Sequence, residues 1–407
     1  MSTPRKLAVK KPVKLIFCGG FLGSGKTTAL AALTKGLIRR GMRVGFITND
    51  QSENLVDTII VRQMLTDLGV PVEEVVKGCF CCKFDELIEH VDKILVHDPD
   101  VLMGEPVGSC TDFVAAVANP IKIQYRDAFR FAPFSITVDP ERVRSLVLNE
   151  TETDFPEDVA YLFGKQLEEA DTIVLNKVDL LTAEESNRLL AAIGDRYPGK
   201  KLRAVSAKEG TGMDEWLDDL ISGSPGANTV LSQIDYDRYA NAEAVLGWLN
   251  AAVKLQAGQP FEAGRFMMAL ATGLRDRFKI EKGEIGHLKF VLTSAGQSMW
   301  TNLTDLAAEP VTGGEKLDKL SRATLIINAR VRLEPEDLET IVRNSLSKVA
   351  GEMAIQSEID DLQCFSPAYP DPPHIIREDG CVTPVGGCQV DNPGPEDQGS
   401  GLVIWLG

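Results

Sequence analysis

Residues 14–40 read KLIFCGGFLGSGKTTALAALTKGLIRR, and the order of side chains in this stretch decides the fold class. Residues 14–18 are an apolar run of strand length, and residues 27–40 place Leu30, Leu33 and Leu37 on one helical face. Between them Gly20, Gly23, Ser24, Gly25, Lys26, Thr27 and Thr28 stand at the spacing of a phosphate-binding loop. Glycines let successive backbone N–H groups turn inward round phosphate oxygens, and the helix that follows points its positive end at them. Lys26 is expected to neutralise the β- and γ-phosphates, and Thr27 to offer its hydroxyl to Mg²⁺.

Outward from this loop, apolar runs keep alternating with helical patterns. Further strands are expected at residues 44–48, 72–76, 101–103, 135–138 and 172–175. The alternation predicts an α/β fold, a P-loop NTPase domain with a mainly parallel sheet covered on both faces. The turn-rich GSPGAN at residues 223–228 sets the expected boundary, giving a first domain over 1–227. Beyond it, residues 261–278 read as a helix, 287–293 and 298–303 as paired strands, 323–331 as a strand and 335–349 as a helix. Residues 244–255 fit strand or helix. This order predicts a smaller α+β domain over 228–355, followed by a Pro/Gly-rich, poorly ordered tail over 356–407.

The chain has 407 residues, enough for two cores, and its 44% hydrophobic and 25% charged residues are globular values. A net charge of −16 with no basic stripe argues against nucleic acid as a partner. No apolar run is long enough to span a membrane, and the basic N-terminus lacks the apolar stretch of a signal peptide, so the expected location is the cytoplasm.

Asn176, Lys177 and Asp179 follow the run TIVL, where an α/β sheet places its ligand-binding edge. A carboxylate there accepts two hydrogen bonds from guanine N1–H and N2–H₂, a donor pair adenine does not present. Ser206, Ala207 and Lys208 supply the small loop expected to close over guanine O6. Two acids end strands between these motifs: Asp50 is placed near Mg²⁺ and Glu105 near the γ-phosphate and the metal, and Gly108 permits backbone approach as a switch hinge. Lys26, Asp50 and Glu105 are the candidate catalytic set. No basic finger toward the γ-phosphate is identifiable, so slow intrinsic turnover is expected.

GCFCC at residues 78–82 puts Cys79, Cys81 and Cys82 on one short loop. Thiolates select soft or borderline ions such as Zn²⁺ and Cu⁺, and three of them leave a tetrahedral ion one open position. Cys110, just beyond Glu105, is a candidate to complete that set, although an isolated packed thiol is the simpler reading. Cys364, Cys381 and Cys388 read as unpaired thiols at the tail.

With GGFLGSGKTT, GCFCC, GEPVG, EADTIVLNKVDLL and SAK in this order through the first two hundred or so residues, the chain resembles the CobW-type GTPases, relatives of the HypB and UreG nickel chaperones. The resemblance implies a GTP- and Mg²⁺-dependent metallochaperone whose three cysteines bind the transferred ion, zinc first with Co²⁺ or Ni²⁺ as alternatives. It also implies that the C-terminal domain contacts a client metalloprotein. TNDQSENLVDT after the second strand departs from the Asn-Glu-Phe-Gly common in that family, and no histidine-rich segment is present. Two other functions remain open here: a GTPase assisting corrinoid, cobalt or nickel enzyme assembly, and a non-catalytic metal sensor. A GTP-dependent homodimer is also left open.

Overall fold

The computed structural model describes residues 5–49, 56–151 and 155–377. Elements of the first half run β1 (Val13–Gly19), α1 (Lys26–Arg39), β2 (Val44–Asn49), α2 (Val56–Leu65), β3 (Val72–Val75), α3 (Phe84–Leu95), β4 (Val101–Glu105), α4 (Asn119–Gln124), β5 (Phe129–Phe131), β6 (Ser135–Val138) and α5 (Pro140–Arg142). They continue through α6 (Glu157–Glu169), β7 (Thr172–Leu175), α7 (Ala183–Arg196), β8 (Lys201–Ala204), α8 (Met213–Ser222) and α9 (Tyr236–Ala244). The second half holds β9 (Gly247–Glu262), α10 (Ala263–Ile280), β10 (Ile285–Ser294), β11 (Gln297–Leu303), β12 (Val311–Gly314), β13 (Lys319–Val331), α11 (Pro335–Glu352) and β14 (Ile355–Phe365).

Two sheets result. The first is ordered β3-β2-β4-β1-β6-β7-β8, with β5 also paired to β1, and every pairing in it is parallel. Parallel strands require crossovers, and the helices between them cover both faces, so β1, β2 and β4 are buried throughout or nearly so. This is the P-loop NTPase architecture. The second sheet, β12-β11-β10-β13-β9-β14, is antiparallel throughout, with α10 and α11 packed on one face. It forms the smaller α+β unit.

Three details depart from the sequence expectation. Helix α9 lies beyond residue 227 yet packs on the first unit: Tyr239 and Ala242 sit in its core, and Arg238 Nε donates to Asp158 Oδ1 at 2.7 Å. Of residues 244–255, Ala244 ends α9 and residues 247–255 belong to a strand whose first five residues are all buried, which erases the alternation that would have marked it. The tail expected from residue 356 begins with an ordered strand, β14, paired along β9.

Helix α6 fixes the segment that follows β4. Gln166 Nε2 donates to the carbonyls of Gly108 and Cys110 at 3.0 and 3.1 Å, and the Val114 N–H donates to Glu169 Oε1 at 2.5 Å. Burial, then the nearby Asp112 carboxylate, pushes the Glu169 carboxyl up to about 8. Its folded pKa therefore lies above the ordinary carboxylate value, so its contribution to stability is full below that value and is lost as pH rises through about 8. Glu169→Gln keeps an acceptor without ionising. Urea unfolding should find the variant equal to the wild type near pH ~5 and more stable above pH ~8; parallel stabilities across that window would reject the protonated carboxyl.

Candidate nucleotide and metal site

The phosphate loop leaves the carboxyl end of β1, where the strand order reverses direction and a doubly wound sheet opens a crevice. Its turn needs glycine at two points. Gly20 has φ 133°, and a Cβ there would lie 2.2 Å from the Thr137 carbonyl oxygen; Gly25 has φ 89°, and a Cβ would lie 2.4 Å from Asn176 Nδ2. Gly23 is held against Gly286 and Thr304 of the second unit, and the Ser24 hydroxyl pairs with that of Thr137 at 2.8 Å. Lys26 is buried and its Nζ donates to the Gly20 and Phe21 carbonyls at 2.7 and 3.2 Å, so the loop's own oxygens hold the ammonium at the phosphate position. Thr28, next in α1, is half-buried.

Thr27 Oγ1 donates to Glu105 Oε1 at 2.7 Å and lies 3.2 Å from Asp57 Oδ1. Burial, reinforced by Asp57, raises Glu105 to about 7; in Asp57 burial is outweighed by Lys289, whose ammonium sits 2.5 Å away, and the pKa falls to about 2. Glu105 Oε2 is buried with no hydrogen-bond partner among the described residues. An orphaned carboxylate oxygen beside a threonine hydroxyl and a second carboxylate is a donor set suited to a hard, oxygen-seeking cation such as Mg²⁺. Asp50 lies outside the described residues.

The NKVD and SAK motifs are built from turns at the ends of β7 and β8. Asn176 is buried and bridges two loops: its Nδ2 donates to the Ser24 carbonyl at 2.9 Å, and its Oδ1 accepts from the Ala207 N–H at 3.0 Å. Lys177 takes a left-handed φ of 61°. Ser206 Oγ donates to Asp179 Oδ1 at 2.7 Å and accepts from the Glu209 N–H, while Lys208 is exposed. Asp179 is only half-buried, with its other carboxylate oxygen available to a ligand at the same edge.

The cysteine loop stands beside this site. Asn49, the last residue of β2, donates to the Val75 and Gly78 carbonyls at 3.0 and 2.7 Å and accepts from the Phe80 N–H at 2.8 Å. Phe80 is fully buried edge-on to Phe17 of β1, with centroids 6.0 Å apart. This fixes the backbone, so Cys79, Cys81 and Cys82 converge with sulfurs within 4.8 Å of one another and Cys81–Cys82 at 3.9 Å. Tetrahedral Zn²⁺ with bonds near 2.3 Å requires sulfurs about 3.8 Å apart, so small side-chain adjustments close the set. Donation among the thiols pushes Cys79 up and Cys82 well down; Cys81 is pushed up first by donating to Cys110, which is buried against it. Cys364 is on β14 with its thiol on the Pro335 carbonyl, apart from this group, and Cys381 and Cys388 lie outside the described residues.

Sequence reasoning missed two residues here and a strap. Asp57 of α2 reaches the Thr27 hydroxyl, and Lys289 of β10 reaches Asp57. Residues 366–377 return across the cysteine loop. The Asp371 backbone supports the Cys82 sulfur, the His374 ring stands edge-on to Phe84 at 4.9 Å, and the Ile376 N–H donates to the Ala115 carbonyl at 2.9 Å. Arg377 closes the strap with hydrogen bonds of 2.8 and 2.6 Å to Asp112, which is fully buried and also accepts from the Tyr236 hydroxyl. The Pro-rich composition that suggested a loose tail instead supplies an extended segment.

Comparison with known proteins agrees with the loop chemistry. Residues 14–202 match the family model described as CobW/HypB/UreG, nucleotide-binding domain. The chain is 28% identical over 235 residues to the zinc chaperone CobW of Pseudomonas aeruginosa, covering 51% of this chain and 59% of that protein. It is 25% identical over 181 residues to the zinc-regulated GTPase metalloprotein activator 1 of Schizosaccharomyces pombe, covering 42% and 41%. The chain thus spans roughly half the length of the curated relatives it matches. Among solved structures, the Zn(II)-bound YjiA GTPase from E. coli aligns over 82% of this chain and 99% of its own at 14% identity, with a TM-score of 0.33.

The strap of residues 366–377 lies outside the matched stretch, so its contribution has to be measured directly. Arg377→Ala strands a buried carboxylate and is expected to destabilise the fold by about 2–3 kcal/mol, allowing for the partial exposure of the guanidinium. Alkylation of Cys82, followed by mass spectrometry, should accelerate in parallel. Unchanged alkylation would show that the strap does not shield the thiol.

Proposed function

Since residues 14–202 match the model described as CobW/HypB/UreG, nucleotide-binding domain, we propose that this chain is a GTP-hydrolysing metallochaperone that carries zinc on Cys79, Cys81 and Cys82 and delivers it to a client protein. Lys26 and the loop N–H groups hold the phosphates, Thr27, Glu105 and Asp57 hold Mg²⁺, and Asp179 with the Ser206–Lys208 loop selects guanine. Bound Mg²⁺ supplies charge neutralisation at the β- and γ-phosphates. Asn176 positions both loops.

The observation that carries this function is the Asn49 side chain. One amide, immediately before Asp50 in sequence, holds the turn on which all three cysteines sit. Glu105 and Cys110 are likewise five residues apart on one segment, and Cys110 touches Cys81. Mg²⁺ bound with the γ-phosphate, held by Glu105 and by the acid at position 50, would therefore shift groups on either side of the thiol cluster. Coupling of this kind is reciprocal: if GTP alters zinc affinity, zinc alters GTP affinity by the same factor. Zinc is the cargo, and its release belongs with hydrolysis.

Chelator competition on metal-stripped protein measures this coupling. Zinc affinity should differ by about 5-fold or more between a non-hydrolysable GTP analogue and GDP, and the difference should vanish in Cys81→Ser. Equal affinities in both nucleotide states, or zinc binding indifferent to Cys81, would leave a GTPase with structural cysteines. Base selection is separately accessible. Asp179→Asn presents a donor where xanthine carries a carbonyl in place of the guanine amine, so the variant should lose GTP affinity by about 100-fold and gain affinity for xanthosine triphosphate. Retained preference for GTP would remove Asp179 from the base site.

A further inference from the structure

Strand β10 presents one face to the nucleotide-binding domain. Along it Leu288, Phe290 and Leu292 enter the core of the second unit, while Lys289 and Val291 point the other way. Val291 packs with Val56 and Ile60 of α2, and Trp300 and Ile326 lie against the same cluster. The strand's start is held from the other side, where Arg142 Nη2 donates to the Ile285 carbonyl at 3.0 Å. Gly286 and Thr304 lie against Gly23 of the phosphate loop. The second unit is therefore seated directly on the phosphate site by packing that fixes β10 at two points.

In that setting Lys289 is the anomaly. Its side chain is only 14% exposed, amid an apolar contact that a Leu or Met would fill without desolvating a charge. Its ammonium is 2.5 Å from Asp57 Oδ1, and the same oxygen is 3.2 Å from the Thr27 hydroxyl. Lys26, Glu105 and Asp57 all lie within its electrostatic reach. Two ammonium groups and two carboxylates thus share one buried site at the end of β1.

We propose that Lys289 is a catalytic residue supplied in cis by the second unit, a cation that stabilises the charge developing on the γ-phosphoryl oxygens during GTP hydrolysis. This rests on the GTPase function proposed above. Water adds to the γ-phosphorus, the bond from that phosphorus to the β–γ bridging oxygen breaks, and the proton released by water goes to phosphate. GDP and inorganic phosphate are the products, and Lys289 neither gains nor loses a proton. Asp57 holds the ammonium at the site between turnovers. The basic finger that sequence inspection did not find comes from more than two hundred residues downstream, and any client contact that shifts the second unit would change the turnover rate.

Single-turnover hydrolysis with saturating GTP and Mg²⁺ tests this on the full chain. Lys289→Met keeps the side-chain volume and removes the charge; Lys289→Gln also keeps a donor to Asp57, so at least one is expected to fold. Either should hydrolyse about 100-fold more slowly than the wild type, in line with loss of a cationic group at a phosphoryl-transfer site. A second readout is binding: GDP with aluminium fluoride, which mimics the transition state, should bind the variants more weakly than the wild type by a similar factor, while GDP alone binds all of them within about 3-fold. Hydrolysis and transition-state-analogue binding unchanged in a folded variant would overturn the assignment and leave Lys289 an interface ion pair. Absence of hydrolysis by the wild type itself would instead overturn the GTPase reading, and this inference with it.

Discussion

Everything in the first unit depends on one backbone constraint: the chain must leave a strand buried on both faces and enter a helix within six residues, without burying unpaired N–H groups. Gly20 and Gly25, at φ 133° and 89°, make that turn, and the carbonyls it exposes are taken by Lys26 and by the Asn176 amide. A side chain at either glycine would strike backbone or Asn176. The N–H groups left pointing inward form the anion site. Thr27, first to follow Lys26 in α1, then acquires its position relative to Glu105 and Asp57 from the same turn.

From that turn the aromatic core transmits position to the cysteines. Phe17 of β1 touches both Phe80, inside the cysteine loop, and Phe113, which follows Cys110 and stacks on Phe134 at 4.7 Å. Rings packed at interior density do not slide continuously, so a displacement of the segment after Glu105 is passed on as a change of arrangement. The cysteine loop has no equivalent freedom on its outer side, where the strap of residues 366–377 and the Arg377–Asp112 pair hold it. The thiols are therefore flanked by two segments, the one that follows Glu105 and the strap of residues 366–377.

The parts legible in the sequence are those whose chemistry is local. The phosphate loop, GCFCC, the NKVD turn and the SAK loop each place their residues by contiguous backbone geometry, so spacing alone reveals them. Lys289 and Asp57 are 232 positions apart, and Arg377 and Asp112 are 265 apart. No periodicity carries information about such pairs, because each member sits in a pattern already explained by its own element: Lys289 reads as the polar side of a strand and Asp57 as an acid in the first turn of α2. The boundary placed at residue 227 failed for a related reason. GSPGAN is an irregular connection, but the amphipathic α9 that follows buries its apolar face against α6 and brings the chain back to the first unit.

The buried charges at the junction tie together two units with separate cores. Lys289 would be easier to bury as an apolar residue, and Asp57 without it would be a carboxylate facing Glu105 in a dry site. Each is tolerated only because the other unit supplies its partner, so separation of β10 from the phosphate loop leaves uncompensated charge on both surfaces. Under the function proposed above, a triphosphate with its cation would change that balance from within, bringing negative oxygens to Lys26 and a positive ion to the carboxylates. The packing of Val291 on Val56 and Ile60 of α2 sits beside these charges. The coupling proposed above would run through two contacts, Asn49 on the cysteine loop and the Asp57–Lys289 pair on the second sheet.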